Sequence, residues 1–75
     1  MNQPWRITNF ERVLPIDPDH VWAVFDIEFN GGDVAGHVQL RQVGQRFELL
    51  GVEMAPDTRE AVISAALEEV RRRPA

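Results

Sequence analysis

The segment His20-Val21-Trp22-Ala23-Val24-Phe25-Asp26-Ile27-Glu28-Phe29, with Asn30-Gly31-Gly32-Asp33 and Val34 to Val43 behind it, decides the fold. Val21, Ala23, Phe25, Ile27 and Phe29 fall on one side of the first segment. His20, Trp22, Val24, Asp26 and Glu28 fall on the other. Period-two alternation with β-branched and aromatic enrichment predicts a half-buried strand. Asn30 to Asp33 is rich in residues that tolerate positive φ, so it reads as a hairpin connection. Placing Phe29 opposite Val34 brings Ile27 to Gly36, Phe25 to Val38 and Ala23 to Leu40. Every such pair is apolar or small, which predicts this register.

Downstream, Gly44-Gln45 reads as a two-residue turn of the Gly-X kind. Pairing Val43 with Arg46 sets Leu40 opposite Leu49 on the core face and Arg41 opposite Glu48 on the other. Beyond Leu49 the pattern shifts to Leu50, Val52 and Met54: a bulge at Gly51 would turn these inward, and without one Leu50 and Val52 join the opposite face. Upstream, Trp5 to Leu14 reads as a strand whose alternation breaks at Ile7 and Phe10, which predicts a bulge near Asn9. Pro15-Ile16-Asp17-Pro18-Asp19 then reads as a loop.

Pro56-Asp57-Thr58-Arg59-Glu60 opens a helix, with Asp57 as N-cap and Glu60 completing a capping box. Ile63, Ala66, Leu67 and Val70 form its buried stripe, and Pro74 ends it. The expected fold is α+β. One domain over residues 1–75 holds a four-stranded antiparallel meander, with a C-terminal helix packed on one face.

A chain of 75 residues without cysteine buries only about 60% of its unfolded surface and has no disulfide to add support. Efficient packing or a partner subunit must compensate, so a homodimer is expected. No apolar run approaches the ~18 residues of a membrane span. The opening MNQPWRITNFERV lacks the pattern of a signal peptide, so a cytoplasmic location is expected. The net charge of −4 argues against general phosphate binding. All the basic residues are arginine, as a GC-rich bacterial or phage genome or a selected surface would give.

Four constellations invite a functional reading. Asp17, Asp19 and His20 are oxygen and imidazole donors, but Asp-Pro-Asp is ordinary turn chemistry and no further ligand stands out; no metal is expected. Asp26 and His37 face each other in the expected register. Without a nucleophile nearby (Ser64, the one serine, is on the helix) they read as a cross-strand ion pair. Arg71, Arg72 and Arg73 could hold phosphate, yet Glu68 and Glu69 precede Arg72 and Arg73 by four residues, the favoured helix ion-pair spacing. Trp22 and Val24, on the side away from the helix, are apolar where a thin sheet should be polar. With Arg41 opposite Trp22, and Leu50 and Val52 nearby, they compose an expected protein interface. Gly31-Gly32 joins two strands with no helix behind it, so it is no phosphate loop.

Ile7-Thr8-Asn9-Phe10, Ala23 to Phe29, and Asp57-Thr58-Arg59-Glu60 leading through Ala66-Leu67-Glu68-Glu69 together resemble the stage V sporulation protein G (SpoVG) family of small bacterial regulators. The resemblance implies a dimer that binds nucleic acid, with Arg71, Arg72 and Arg73 at the family's basic positions after the helix. Where that family carries a basic segment, Leu49 to Pro56 here has no positive charge. The residues themselves favour a non-enzymatic interaction or regulatory domain, homodimeric, with the Trp22 face or a strand edge as contact. An acidic phage-type inhibitor of a basic protein surface fits the same charge and size. An enzyme is the weakest reading, since no nucleophile, base and anion-stabilising group converge, and no cofactor is expected.

Overall fold

The computed structural model describes residues 4–13 and 21–72. Strands β1 (Trp5–Arg12), β2 (Val21–Phe29), β3 (Val34–Val43) and β4 (Arg46–Leu50) precede helix α1 (Pro56–Arg72). All neighbouring strands are antiparallel, in the order β1-β2-β3-β4. This is the expected meander with one helix against the sheet. The predicted loop at Pro15 to Asp19, with Leu14, His20, Arg73 and Pro74, lies outside the described residues. Among the described residues no helix is long and apolar enough to cross a membrane.

The core follows the alternation of β2. Ala23, Phe25 and Ile27 are buried, with Val38 and Leu40 from β3 and Leu49 from β4. Phe25 pairs with Val38 and Ala23 with Leu40, as predicted. The ring of Phe10 stacks on Phe25 at 5.8 Å. Phe10 reaches this side because β1 bulges between Thr8 and Glu11, with Asn9 at φ 51°, where the broken alternation predicts it. Gly51 turns the chain after β4 at φ 93°, and a methyl there would stand 3.3 Å from the His37 carbonyl oxygen. Val52 and Met54 consequently pack against the core, while Leu50 stays in β4, paired with Gln39.

Three expectations are corrected. The first concerns the β2–β3 turn. Gly32 N–H donates to Phe29 O at 2.9 Å and Phe29 N–H to Asp33 O at 2.9 Å. The loop is therefore Asn30-Gly31-Gly32, a three-residue connection whose last position needs the left-handed φ of 93° that Gly32 supplies. Val34 then pairs with Glu28 rather than Phe29, and Ala35 rather than Gly36 meets Ile27. The spare residue is absorbed between Phe25 and Ile27 as a bulge in β3, where His37 takes φ 56°.

The second correction concerns the helix. Its fully buried stripe is Val62, Ala66 and Val70, with Ile63 and Leu67 half-buried beside it. The sequence pattern omitted Val62, because Ile63 and Leu67 fit a helical period equally well. Arg12 of β1 donates to Val70 O at 3.2 Å, tying the helix C-terminus to the sheet.

The third is the helix start. Arg59 N–H donates to Ala55 O at 2.9 Å, and the helix begins at Pro56. Ala55 is therefore the N-cap and Pro56 occupies N1, where its missing N–H costs nothing. Asp57 lies inside the first turn and acts on the helix dipole only. Ala55→Asp, supplying the absent cap oxygen, is expected to raise stability by about 1 kcal/mol in denaturant titration. No gain would mean the chain enters the helix by another path.

Candidate functional site

The structure divides the expected interface. A second irregularity between Val21 and Ala23 makes Trp22 an extra residue in β2, and Val21 takes its place opposite Arg41. The indole then meets the Phe47 ring edge-on at 5.7 Å, and its Nε1 donates to Gln42 Oε1 at 3.1 Å. Gln42 and Phe47 pair with each other, two residues from Leu40 and Leu49, so they share the helix-side face. Trp22 accordingly belongs to the margin of the chain's own core, as does Val52. Val24 and Leu50 remain on the outer face, each paired with Gln39, and Arg41 lies between Val21 and Glu48. The Glu48 carboxylate bridges to Arg46 at 3.7 Å.

The expected Asp26–His37 ion pair is replaced by a different arrangement. Asn9 Nδ2 donates to Asp26 Oδ2 at 2.8 Å, and the backbone N–H of His37 donates to Oδ1 at 3.1 Å. Asn9 and His37 are the two non-glycine residues with positive φ among those described. One carboxylate on a central strand thus holds a bulge in each neighbouring strand. The Asn9 bond first, then the His37 N–H and the nearby imidazole, keep the Asp26 carboxyl below its ordinary value of 3.8. A depressed folded pKa gives stability that is present above 3.8 and is lost as pH falls through the folded value. The denaturant midpoint should therefore drop below pH 3.8 more steeply in the parent than in Asp26→Asn. Identical acid limbs would contradict this role.

At the helix end, Arg72 bonds to Glu69 at 3.1 Å and lies 4.0 Å from Glu68, the i,i+4 pair that the spacing predicts. Arg71 is exposed, and Arg73 lies outside the described residues. Among those residues no group of three metal-ligating side chains converges; Asp17, Asp19 and His20 are not among them.

A feature that residue types do not signal lies on the other side of the molecule. β1 is an edge strand. Asn30 N–H donates to Pro4 O at 3.0 Å, and bonded pairs alternate along an antiparallel ladder. Pro4, Arg6 and Thr8 therefore turn their backbone groups toward β2, while Trp5 and Ile7 turn theirs outward. Beside this open edge runs a groove of about 310 Å³, lined by Trp5, Ile7 and Phe10 on one side and Ala65, Glu68 and Arg72 on the other. Thr8 Oγ1, also in its lining, is buried without a hydrogen-bond partner in the chain. On the outer face Arg6 is bound to Glu28 at 2.9 Å. Compared with family models, curated proteins and solved structures, the chain matches none.

Proposed function

We propose that the chain is a small non-enzymatic protein-interaction domain that works as a homodimer through the β1 edge. The observation that carries this reading is the outward-facing backbone of Trp5 and Ile7 beside a groove. Unpaired N–H and C=O groups in a row are a template for another strand. A second copy supplies a matching row by two-fold symmetry. Pairing Trp5 with Ile7 of the other copy, and Ile7 with its Trp5, uses all four groups on each side. The Asn9 bulge bounds the segment at one end, and two-fold pairing occupies the outward row of both β1 strands, so the pairing closes after two copies. Arg6 would face its own equivalent across the axis. Its ion pair with Glu28 offsets the like-charge repulsion, and the pair is solvent-exposed on both sides.

The chain lacks cysteine, which makes the test direct. Arg6→Cys would place two thiols at a non-hydrogen-bonded position, with Cα atoms about 4.5 Å apart, inside the range a disulfide spans. The expected result is a parent that sediments as a dimer and an Arg6→Cys variant that oxidises rapidly to a covalent dimer. His37→Cys, on the exposed outer face, should oxidise slowly. A parent that stays monomeric at high concentration, or equal oxidation of the two variants, would overturn the reading.

A further inference from the structure

We propose that the distal β2–β3 hairpin has two folded registers, and that the Asp26 carboxylate is the latch selecting the observed one. From Phe25 to Ile27 the chain advances two residues along β2, while the partner advances three, from Val38 to Ala35. Removing that spare residue from the ladder yields an uninterrupted alternative. Phe29 would then meet Val34, Ile27 would meet Gly36, and Asp26 would meet His37. Both registers share the pairs Phe25–Val38 and Ala23–Leu40, so the inner half of the hairpin need not move.

The two arrangements carry opposing terms. The observed one holds His37, a residue with a Cβ, at φ 56°, a conformation that costs energy for L-residues. It also leaves Val34 60% exposed, the one large apolar side chain so exposed among the described residues. In its favour are the closed three-residue turn, the packing of Ala35 against the core, and the bond from His37 N–H to Asp26 Oδ1. The alternative would relieve His37 and turn Val34 to the helix-side face beside Phe29. It would cost the tight turn and place Gly36 where Ala35 packs. What distinguishes the registers at the bulge itself is Asp26: its carboxylate meets the His37 N–H only when the chain bulges. The same carboxylate holds Asn9, so the latch also fixes the β1 bulge. The inference stands on the hairpin alone and does not depend on how the β1 edge is used.

Engineered cysteine pairs read the register directly. Glu28→Cys with Val34→Cys reports the observed pairing, and Phe29→Cys with Val34→Cys reports the alternative. Directly opposed residues lie within disulfide reach, whereas residues one step out of register point to opposite faces. In the otherwise unchanged chain the first pair should close faster than the second under mild oxidation. Asp26→Val removes the acceptor, and His37→Pro removes the donor and forbids positive φ. Either change should invert the order of closure while circular dichroism still shows a folded domain. If the first pair still closes faster in both variants, Asp26 is not the latch. If neither variant folds, no second folded register exists, and the proposal falls.

Discussion

Phe25→Ala is expected to remove most of the stability of the domain. The side chain is 1% exposed and is among the largest of those fully buried. It lies at the middle of the central strand, paired with Val38 and stacked on Phe10. Deleting a buried phenyl ring costs about 3–5 kcal/mol, from lost transfer energy and the cavity left behind. A domain of this length has a total stability of roughly 4–11 kcal/mol at ordinary per-residue values. The loss is thus comparable with everything the fold has. The Phe10 ring stacked on Phe25 is held in place by the bulge at Asn9. Urea titration followed by circular dichroism should show a chain largely unfolded at 25 °C, or one whose midpoint collapses. A loss below about 1 kcal/mol would mean that the ring is not in the core.

The parts of this architecture legible in the sequence are those set by residue type alone. Alternation in β2 gave the core face, and the broken alternation at Ile7 and Phe10 gave the Asn9 bulge. Gly51 offered an inward turn for Leu50, Val52 and Met54 as one of two alternatives, and Val52 and Met54 take it while Leu50 stays in β4. What escaped depends on counting. Asn-Gly-Gly-Asp serves a three-residue or a four-residue connection, and either choice leaves apolar pairs through the centre of the hairpin. A single extra residue near Val21 carries Trp22 to the opposite face, since strand side chains alternate with every step. The outer-face position expected for Trp22 therefore could not survive a bulge that no residue type announces. The open edge of β1 is hidden for the same reason. Whether the N–H of Ile7 points inward or outward follows from the parity of the ladder, which is fixed only when the register is. The Asp26 clamp was half visible: Asn9 was placed at a bulge and Asp26 beside His37. What could not be read was that His37 would present its backbone N–H to the carboxylate.

The helix supplies the other large effect, and it separates the observed buried stripe from the one the pattern suggested. Val62 is fully buried, and the sheet face beneath it has no other cover among the described elements. Val62→Asp would put a carboxylate into the apolar core. An unpaired buried charge costs several kcal/mol even after local relaxation, again close to the whole stability of a small domain. Undocking the helix would not rescue the chain. The sheet would then expose Phe25, Ile27, Val38 and Leu40 to water, and a four-stranded sheet with one bare apolar face does not stand as a monomer. The expected result is cooperative loss of both helix and sheet signals at 25 °C. Ser64→Asp adds the same charge two residues away, at an exposed position on the same helix. It should shift stability by no more than about 0.5 kcal/mol. Ile63→Asp, half-buried at the margin of the stripe, should fall between the two. If Ile63→Asp unfolded the chain while Val62→Asp left it intact, the helix would have to be rotated by roughly 50°, half the ~100° step between successive residues. The sheet would then be covered by the stripe of Ile63, Ala66, Leu67 and Val70 instead.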